Sequence, residues 1–574
     1  MSQKIPEEIF HRILWDNFLV QREAHGFLHP RYHLHKDRQV RFYALPDFQN
    51  ARLVCRKWNE WLQNDFTFWK HFCIKGDKSL EVAKVVIDRY PRRLFHIRLW
   101  MEHVPSSKFD DPVDGDTSSD EEVQENEAEG PEDHGEETNV AERSIDNESD
   151  VRAADAAHSR TLHASWIIEA FDFLSPLLKE CETISLHLPT QAIQAAFMFW
   201  SRHGAPTCNL RHILIEAIDY NGRTEKDHVI YMNAPNRRHH KPQPPSLSPF
   251  FSSALLLESV SLINFYVPTG DDKDIGFDLR HLTQFSMIYN RQDAHILSPL
   301  KEDIEDELLI PLGSNKCVAL TLDLGSSLCD VRSTDLRHLP SLERVTFGNG
   351  RFTIGSPPPP SDPSPSSPLD VNVKNLTLKN TILAVVLDQA RGIPPKMDAL
   401  LILLEDMPKL ISLHLIDVHP VFPPDSHVDA GPYIPCDSLY PQLKSLLVEG
   451  GSVTAEMIMT LLIQSPSLTN LTFTLNLPGL GPGNANMKTI LTALATISET
   501  HKSIICPQLS RLQILIPDAG RDGHEAIVKT LSDVLTKFRA KRRAWAEAGR
   551  CSPMRVRYMP MTIFKQGYYE ALMV

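Results

Sequence analysis

Three histidines at 29, 33 and 35 are the first residues of this chain whose type and spacing suit chemistry. Imidazoles so spaced can share one metal ion when a cysteine or carboxylate completes the set. None stands at ligand spacing in REAHGFLHPRYHLHKDRQVR, so the histidines read as a loop and no metal or other cofactor is expected. The motifs G-x-S-x-G, H-E-x-x-H and G-x-x-x-x-G-K-[ST] are missing, which removes the common nucleophile, zinc and phosphate sites. Nine cysteines are scattered without a C-x-x-C pair, which points to reduced, buried thiols rather than disulfides or zinc. Asn375-Leu376-Thr377 and Asn470-Leu471-Thr472 fit glycosylation acceptors, but both fall on expected buried strands, so chance explains them better. KFRAKRRAW (537–545) fits a nuclear localisation signal or the basic end of a helix beginning near His524. Ser118 and Ser119 each precede a glutamate by three residues (Glu121, Glu122), a setting that suits phosphorylation by an acid-directed kinase. What remains is recognition: LVCRKWNEWLQNDFTFWKHF packs Trp58, Trp61 and Trp69 into twelve positions of a chain with eight tryptophans.

At 574 residues the chain exceeds one compact core, so several units or a repeat array must position these groups. The net charge of −14 is concentrated: residues 109–150 hold eighteen Asp and Glu against Arg143 alone, leaving about +3 elsewhere. So dense a charge with so few apolar groups cannot support a core, and residues 104–158 read as a disordered acidic insert. Residues 234–249 and 356–368 are proline-rich loops by composition. The N-terminus lacks a secretory pattern and no apolar run spans a bilayer, so no membrane partner is expected and the cytosol or nucleus is. No basic stripe interleaved with aromatics suggests nucleic acid.

One phrase recurs along the chain. LPSLERVTF, MPKLISLHL, YPQLKSLLV, SPSLTNLTF and CPQLSRLQI share x-P-x-L-x-x-Φ-x-Φ, with Φ apolar; seven further copies lack the proline. The twelve copies begin at 94, 181, 210, 257, 282, 317, 342, 373, 410, 443, 468 and 509. The one long interval, 94 to 181, becomes ordinary once residues 104–158 are set aside, so the acidic stretch interrupts one repeat. Counting the leading L (or its substitute) as position 1, positions 4 and 6 share one face of a strand and position 5 the other. Position 5 is polar in ten copies; Leu214 and Leu447 are the exceptions. TAEMIMTLLIQ, MKTILTALATISETHK and TQAIQAAFMFW follow with helical periodicity.

One strand and one helix per repeat resembles the leucine-rich repeat. The resemblance implies an irregular α/β solenoid over 76–530, a horseshoe with parallel strands on its concave face, followed by a C-terminal helix and tail over 522–574. An ordinary α/β domain with parallel strands is the alternative, but it does not explain the x-P-x-L phrases. In this register His96, Arg98, His212, Arg344, His414, Arg511 and Gln513 are expected exposed on the concave face, as candidate substrate contacts. Leu413, Leu446, Leu471 and Leu512 are expected in the core. The Asn or Cys that the family carries after each strand is mostly absent.

The N-terminal segment carries a second resemblance. Ile5-Pro6-Glu7-Glu8-Ile9, then Ile13-Leu14, then Val54-Cys55-Arg56-Lys57-Trp58, then Phe68-Trp69 occur in order. This resembles the F-box, a small all-α module that docks on the Skp-type adaptor of cullin–RING ubiquitin ligases. The resemblance implies an F-box over 1–75 with a His/Arg-rich insertion at about 17–43. It also implies adaptor contacts at Ile5, Pro6, Glu8, Ile9, Ile13, Leu14, Val54, Cys55, Trp58, Phe68 and Trp69. The 39 residues between Leu14 and Val54 exceed what the family's pattern uses, and they obstruct docking or add to it. A plainer role for the tryptophans is to cap the end of the repeats.

Together the two resemblances imply a non-catalytic substrate receptor, with ubiquitin transfer performed by other subunits. The alternative is a scaffold that binds the adaptor and a client without joining a cullin. The repeats give no arginine cluster that would mark a phosphate reader, so the protein substrate is unspecified.

Overall fold

The computed structural model describes residue 60 and residues 71–91, 93–101, 165–202, 207, 209–218, 254–265, 281–289, 308–309, 312–313, 316–323, 330–355, 371–386, 399–421, 440–474, 484–496, 504–516 and 521–560. Its strands are β1 (His71–Ile74), β2 (Phe95–Trp100), β3 (Cys181–Leu188), β4 (His212–Ala217), β5 (Ser259–Ile263), β6 (Gln284–Ile288), β7 (Ala319–Asp323), β8 (Asp330–Arg332), β9 (Arg344–Gly348), β10 (Arg351–Ile354), β11 (Asn375–Lys379), β12 (Ile382–Val385), β13 (Ser412–Ile416), β14 (His419–Val421), β15 (Ser445–Glu449), β16 (Asn470–Thr474), β17 (Arg511–Ile516) and β18 (Arg555–Pro560). All but β8, β10, β12 and β14 form one 14-stranded sheet, and its neighbours follow one another along the chain. Every pairing is parallel, so each step returns the chain to the same end, an arrangement that suits a solenoid.

All twelve copies of the phrase become strands of this sheet, in the expected register. Position 4 forms one row that begins Ile97–Ile184–Ile213–Val260 and ends Leu446–Leu471–Leu512–Val556. Leu413, Leu446, Leu471 and Leu512 are all buried, as expected. A fully buried leucine contributes roughly 1.5–3 kcal/mol, so a row of this length holds the strands in place without help from their edges.

Helices cover the same side of the sheet. They are α1 (Asp77–Arg89), α2 (Ser165–Leu174), α3 (Thr190–Arg202), α4 (Ala399–Asp406), α5 (Ala455–Gln464), α6 (Asn484–Leu494) and α7 (Arg521–Glu547). In α5, Thr454 accepts the N–H of Met457 at 3.2 Å as a cap, and Ile458, Leu461 and Leu462 are buried.

Among the described residues, the middle of the chain adds a feature beyond one strand and one helix per repeat. There β8, β10, β12 and β14 form a second parallel sheet, and β10, β12 and β14 each leave the main sheet through a left-handed residue. Asn349 (φ 53°), Asn380 (φ 47°) and Asp417 (φ 50°) occupy position 8 of their repeats, as do Asn264 (φ 51°) and Gly450 (φ 65°). Asn and Asp tolerate this region because their short side chains bond locally. A Cβ at Gly450 would collide with the Asp417 carboxylate, so that copy needs glycine. Asparagine stands at position 8 in three of the twelve copies, as a turn residue, so most copies still lack it. The segments behind it, RFTI and ILAV, are too short to nucleate a helix and pair as strands. Buried Asp406, at the end of α4, ties that helix to the second sheet, accepting from Ser333 Oγ just after β8 at 2.6 Å and from the Gly355 N–H just after β10 at 2.8 Å.

The sheet also extends beyond its expected ends. β1 lies within the span expected for the box (1–75), and β18 lies in the expected tail (522–574). Within KFRAKRRAW, Arg542 is buried and donates to the carbonyls of Ile505, Cys506 and Leu509 at 3.2, 3.1 and 3.4 Å. That basic residue holds α7 against the last turn, which favours the helix-end reading of the run.

The acidic insert (104–158), the His/Arg-rich stretch and both proline-rich loops lie outside the described residues. The strands flanking the insert pair in ordinary register, Ile97 beside Ile184. Replacing residues 104–158 by a short Gly/Ser linker is thus expected to leave the cooperative melting transition in place. Loop shortening of this size changes closure entropy by about 1 kcal/mol. Circular dichroism melting checks it, and a cooperative loss of structure would make the insert part of the fold.

Candidate interaction face

The face of the sheet opposite the helices carries positions 3, 5 and 7. It carries four kinds of zone along the strand order: a contact network, two apolar patches, a polar stretch and a basic end. Over β2–β4 the side chains lie along the sheet in a chain of contacts. The Arg98 guanidinium sits 4.0 Å from the centre of the Trp100 ring. Trp100 stacks on His187, with ring centres 3.8 Å apart, and His187 Nδ1 lies 2.7 Å from Glu216 Oε2. Arg98 is only 1% exposed, and burial pulls its pKa down to about 10, against the opposing pull of Cys73 and Glu216. The expectation that Arg98 stands free on this face is therefore wrong. Strands about 4.8 Å apart crowd long side chains, and an aromatic neighbour gives a guanidinium a better place flat on the sheet.

Ser185, His187 and Glu216 bring a hydroxyl, an imidazole and a carboxylate onto adjacent positions. The Ser185 hydroxyl is buried and has no hydrogen-bond partner among the described residues. The nucleophile–base contact that acyl transfer uses is not formed. Among the described residues no three His, Cys, Asp or Glu side chains could hold a metal ion.

Leu214 and Leu447, the two apolar exceptions at position 5, each nucleate an apolar patch. Leu214 clusters with Ile263 and Ile288 at position 7. Leu447 clusters with Ile416 and Leu515, and Met559 packs alongside. Both patches are buried, so they stabilise neighbouring strands and leave little apolar surface for a partner.

Between them runs a polar zone of Ser261, Ser286, Thr321, Thr346 and Thr377 at position 5. At its rim Asn349 Nδ2 donates to Asp323 Oδ1 and Asn380 Nδ2 donates to Asn349 Oδ1 at 3.2 Å. The fourth zone is basic: Arg511, Arg555 and Arg557 are exposed at the C-terminal end, with half-buried Gln513 beside them.

Of the other expected contacts, Arg344 is exposed, whereas His96, His212 and His414 are half-buried. His96 Nδ1 shares a hydrogen bond with Thr183 Oγ1 (2.9 Å), and His212 Nδ1 shares one with Ser259 Oγ (3.1 Å). Burial lowers the His212 pKa, opposed by Glu258 and Glu182. Burial takes His414 furthest, to about 4 from an ordinary 6.5. Folded chain then stays neutral at His414 while unfolded chain takes up a proton. Stability from this site is whole above pH 6.5 and is lost as the pH falls toward 4. The loss is on the order of 3 kcal/mol. His414→Gln should flatten that part of the stability–pH curve in urea titrations; an unchanged difference between pH 7 and pH 4 would mean that His414 titrates normally.

The buried thiols are inert: burial pushes Cys317 up to about 11 and Cys506 up to about 12. Trp100, His187, Glu216, Arg555 and Arg557 were not expected on this face. Position 7 lies beyond the end of the repeating phrase, although its first three copies read Trp100, His187 and Glu216. The alternation in RVRYMP was the available signal for β18. All the expected adaptor contacts (Ile5 to Trp69) and both candidate phosphorylation sites, Ser118 and Ser119, lie outside the described residues. No known family matches this chain, and no curated protein matches it either.

Proposed function

We propose that this chain is a substrate receptor of a cullin–RING ubiquitin ligase, with an N-terminal F-box docking on a Skp-type adaptor and leucine-rich-repeat-like turns holding a protein client. The observation that carries the reading is the ordered set Ile5-Pro6, Glu8-Ile9, Ile13-Leu14, Val54-Cys55, Trp58 and Phe68-Trp69, which ends directly before β1. A docking module so close in sequence to the first strand would bring the adaptor and the client face together on one chain. Support for a solenoid comes from the sequential order of the 14 parallel strands and from the turn residues at position 8. On this reading the transfer chemistry belongs to other subunits, and the chain works in the cytosol or nucleus, where the adaptor is found.

The client-binding surface is the face of positions 3, 5 and 7, where Arg344 and Arg511 are the expected contacts left exposed. Affinity purification of the tagged full-length chain tests the proposal. Recovery of both a Skp-type adaptor and a cullin is expected. Recovery of the adaptor without a cullin would make the chain a scaffold, and recovery of neither would end the ligase reading.

A further inference from the structure

The two edges of the large sheet are finished differently. At the N-terminal edge, the core-facing side chains of β1, Phe72 and Ile74, are buried. At the C-terminal edge, Val556 and Tyr558 pack against the core yet remain half-exposed. Among the described residues β18 pairs with β17 alone. The Arg555 N–H donates to the Ser510 carbonyl at 2.8 Å, so alternate residues from Arg555 point their backbone groups toward β17. Val556 and Tyr558 therefore direct theirs outward, as the template for another strand.

The side chains beside that template are of two kinds. Arg555 and Arg557 stand exposed on the open face, next to Arg511 and Gln513 in register. No Asp or Glu occurs in β16, β17 or β18 to neutralise them. On the core side the half-exposed Val556 and Tyr558 are apolar, with the Arg539 guanidinium 5.9 Å from the Tyr558 ring.

We propose that β18 is a docking edge for an extended peptide of a separate protein, in which acidic residues alternate with apolar ones. Such a peptide joins the sheet as a fifteenth strand. Its acidic residues face Arg555 and Arg557 and its apolar residues cover Val556 and Tyr558. Backbone bonds supply affinity and the alternation supplies selectivity, the usual division in strand addition. The charge pairing also makes association salt-dependent. This inference stands whether or not residues 5–69 dock an adaptor.

The test uses the full-length chain and a labelled peptide of about eight residues alternating Glu and Ile, a length that matches a typical strand. Fluorescence anisotropy should show saturable binding. N-methylation of the peptide's alternate residues on the side that faces β18 should weaken binding tenfold or more, because it removes backbone donors but keeps every side chain. Arg555→Glu combined with Arg557→Glu should weaken it by a similar factor without shifting the melting temperature. Equal binding of a peptide with Lys in place of Glu would overturn the proposal and leave the arginines as protection against edge-to-edge aggregation. Equal binding of the N-methylated peptide would overturn strand addition. Binding that appears only after residues 104–158 or 561–574 are removed would give the edge to this chain's own segments and overturn the assignment to a separate protein.

Discussion

Leu471→Ala is expected to destabilise the repeats by about 2–5 kcal/mol, while Arg344→Ala leaves their melting temperature nearly unchanged. Leu471 has no exposed surface and sits between Leu446 and Leu512 in the position-4 row. Truncation removes apolar contact and leaves a cavity that two paired strands cannot close without shifting register. Arg344 is on the opposite face and exposed, so it loses little on truncation. Because turns of such an array depend chiefly on their neighbours, the damage should centre on β15–β17. Hydrogen exchange would show protection falling there first. Equal thermal shifts for the two variants would mean that the two faces had been exchanged.

The second large effect concerns binding. Pro6→Ala with Ile9→Ala should weaken adaptor binding tenfold to a hundredfold, since interface anchors of this kind cost about 2 kcal/mol or more when truncated. On the F-box reading, Pro6 would start a short helix and Ile9, spaced four residues from Ile5 and from Ile13, would belong to its apolar stripe, so the pair would remove both features. The repeats should keep their melting temperature, because the first described strand of their sheet, β1, begins at His71, well after residues 6 and 9. Trp58→Ala should behave otherwise and lower both binding and stability, as expected for an apolar group shared by box and first turn. A Pro6/Ile9 variant that unfolds the repeats, yet binds the adaptor fully in its folded fraction, would make the tryptophans a cap alone.

The strand register was legible because burial on one face of a strand has a period of two, and a one-residue slip would expose every leucine of the row. Leu471 and Thr472 could be assigned to opposite faces from spacing alone. The second sheet was not legible, since RFTI and ILAV are four residues each, too short for a period of two to declare itself. Nor was the fate of Arg98. Its position on the open face followed from the period, but its burial depends on Trp100, His187 and Glu216, which come from three different strands. Trp100 is a near neighbour on the same strand, but the contacts through His187 and Glu216 cross to β3 and β4, which spacing along one strand does not reveal. β18 does not match the phrase because Pro553 stands where it carries its leading apolar residue, and a 27-residue helix separates it from β17.

Titration calorimetry of a purified Skp-type adaptor into the full-length chain tests the receptor reading most directly, followed by addition of a cullin to the complex. The expected result is saturable binding with Kd at or below about 1 μM, near −8 kcal/mol, and a ternary complex that survives gel filtration. A folded full-length chain that gives no binding signal with the adaptor would contradict it.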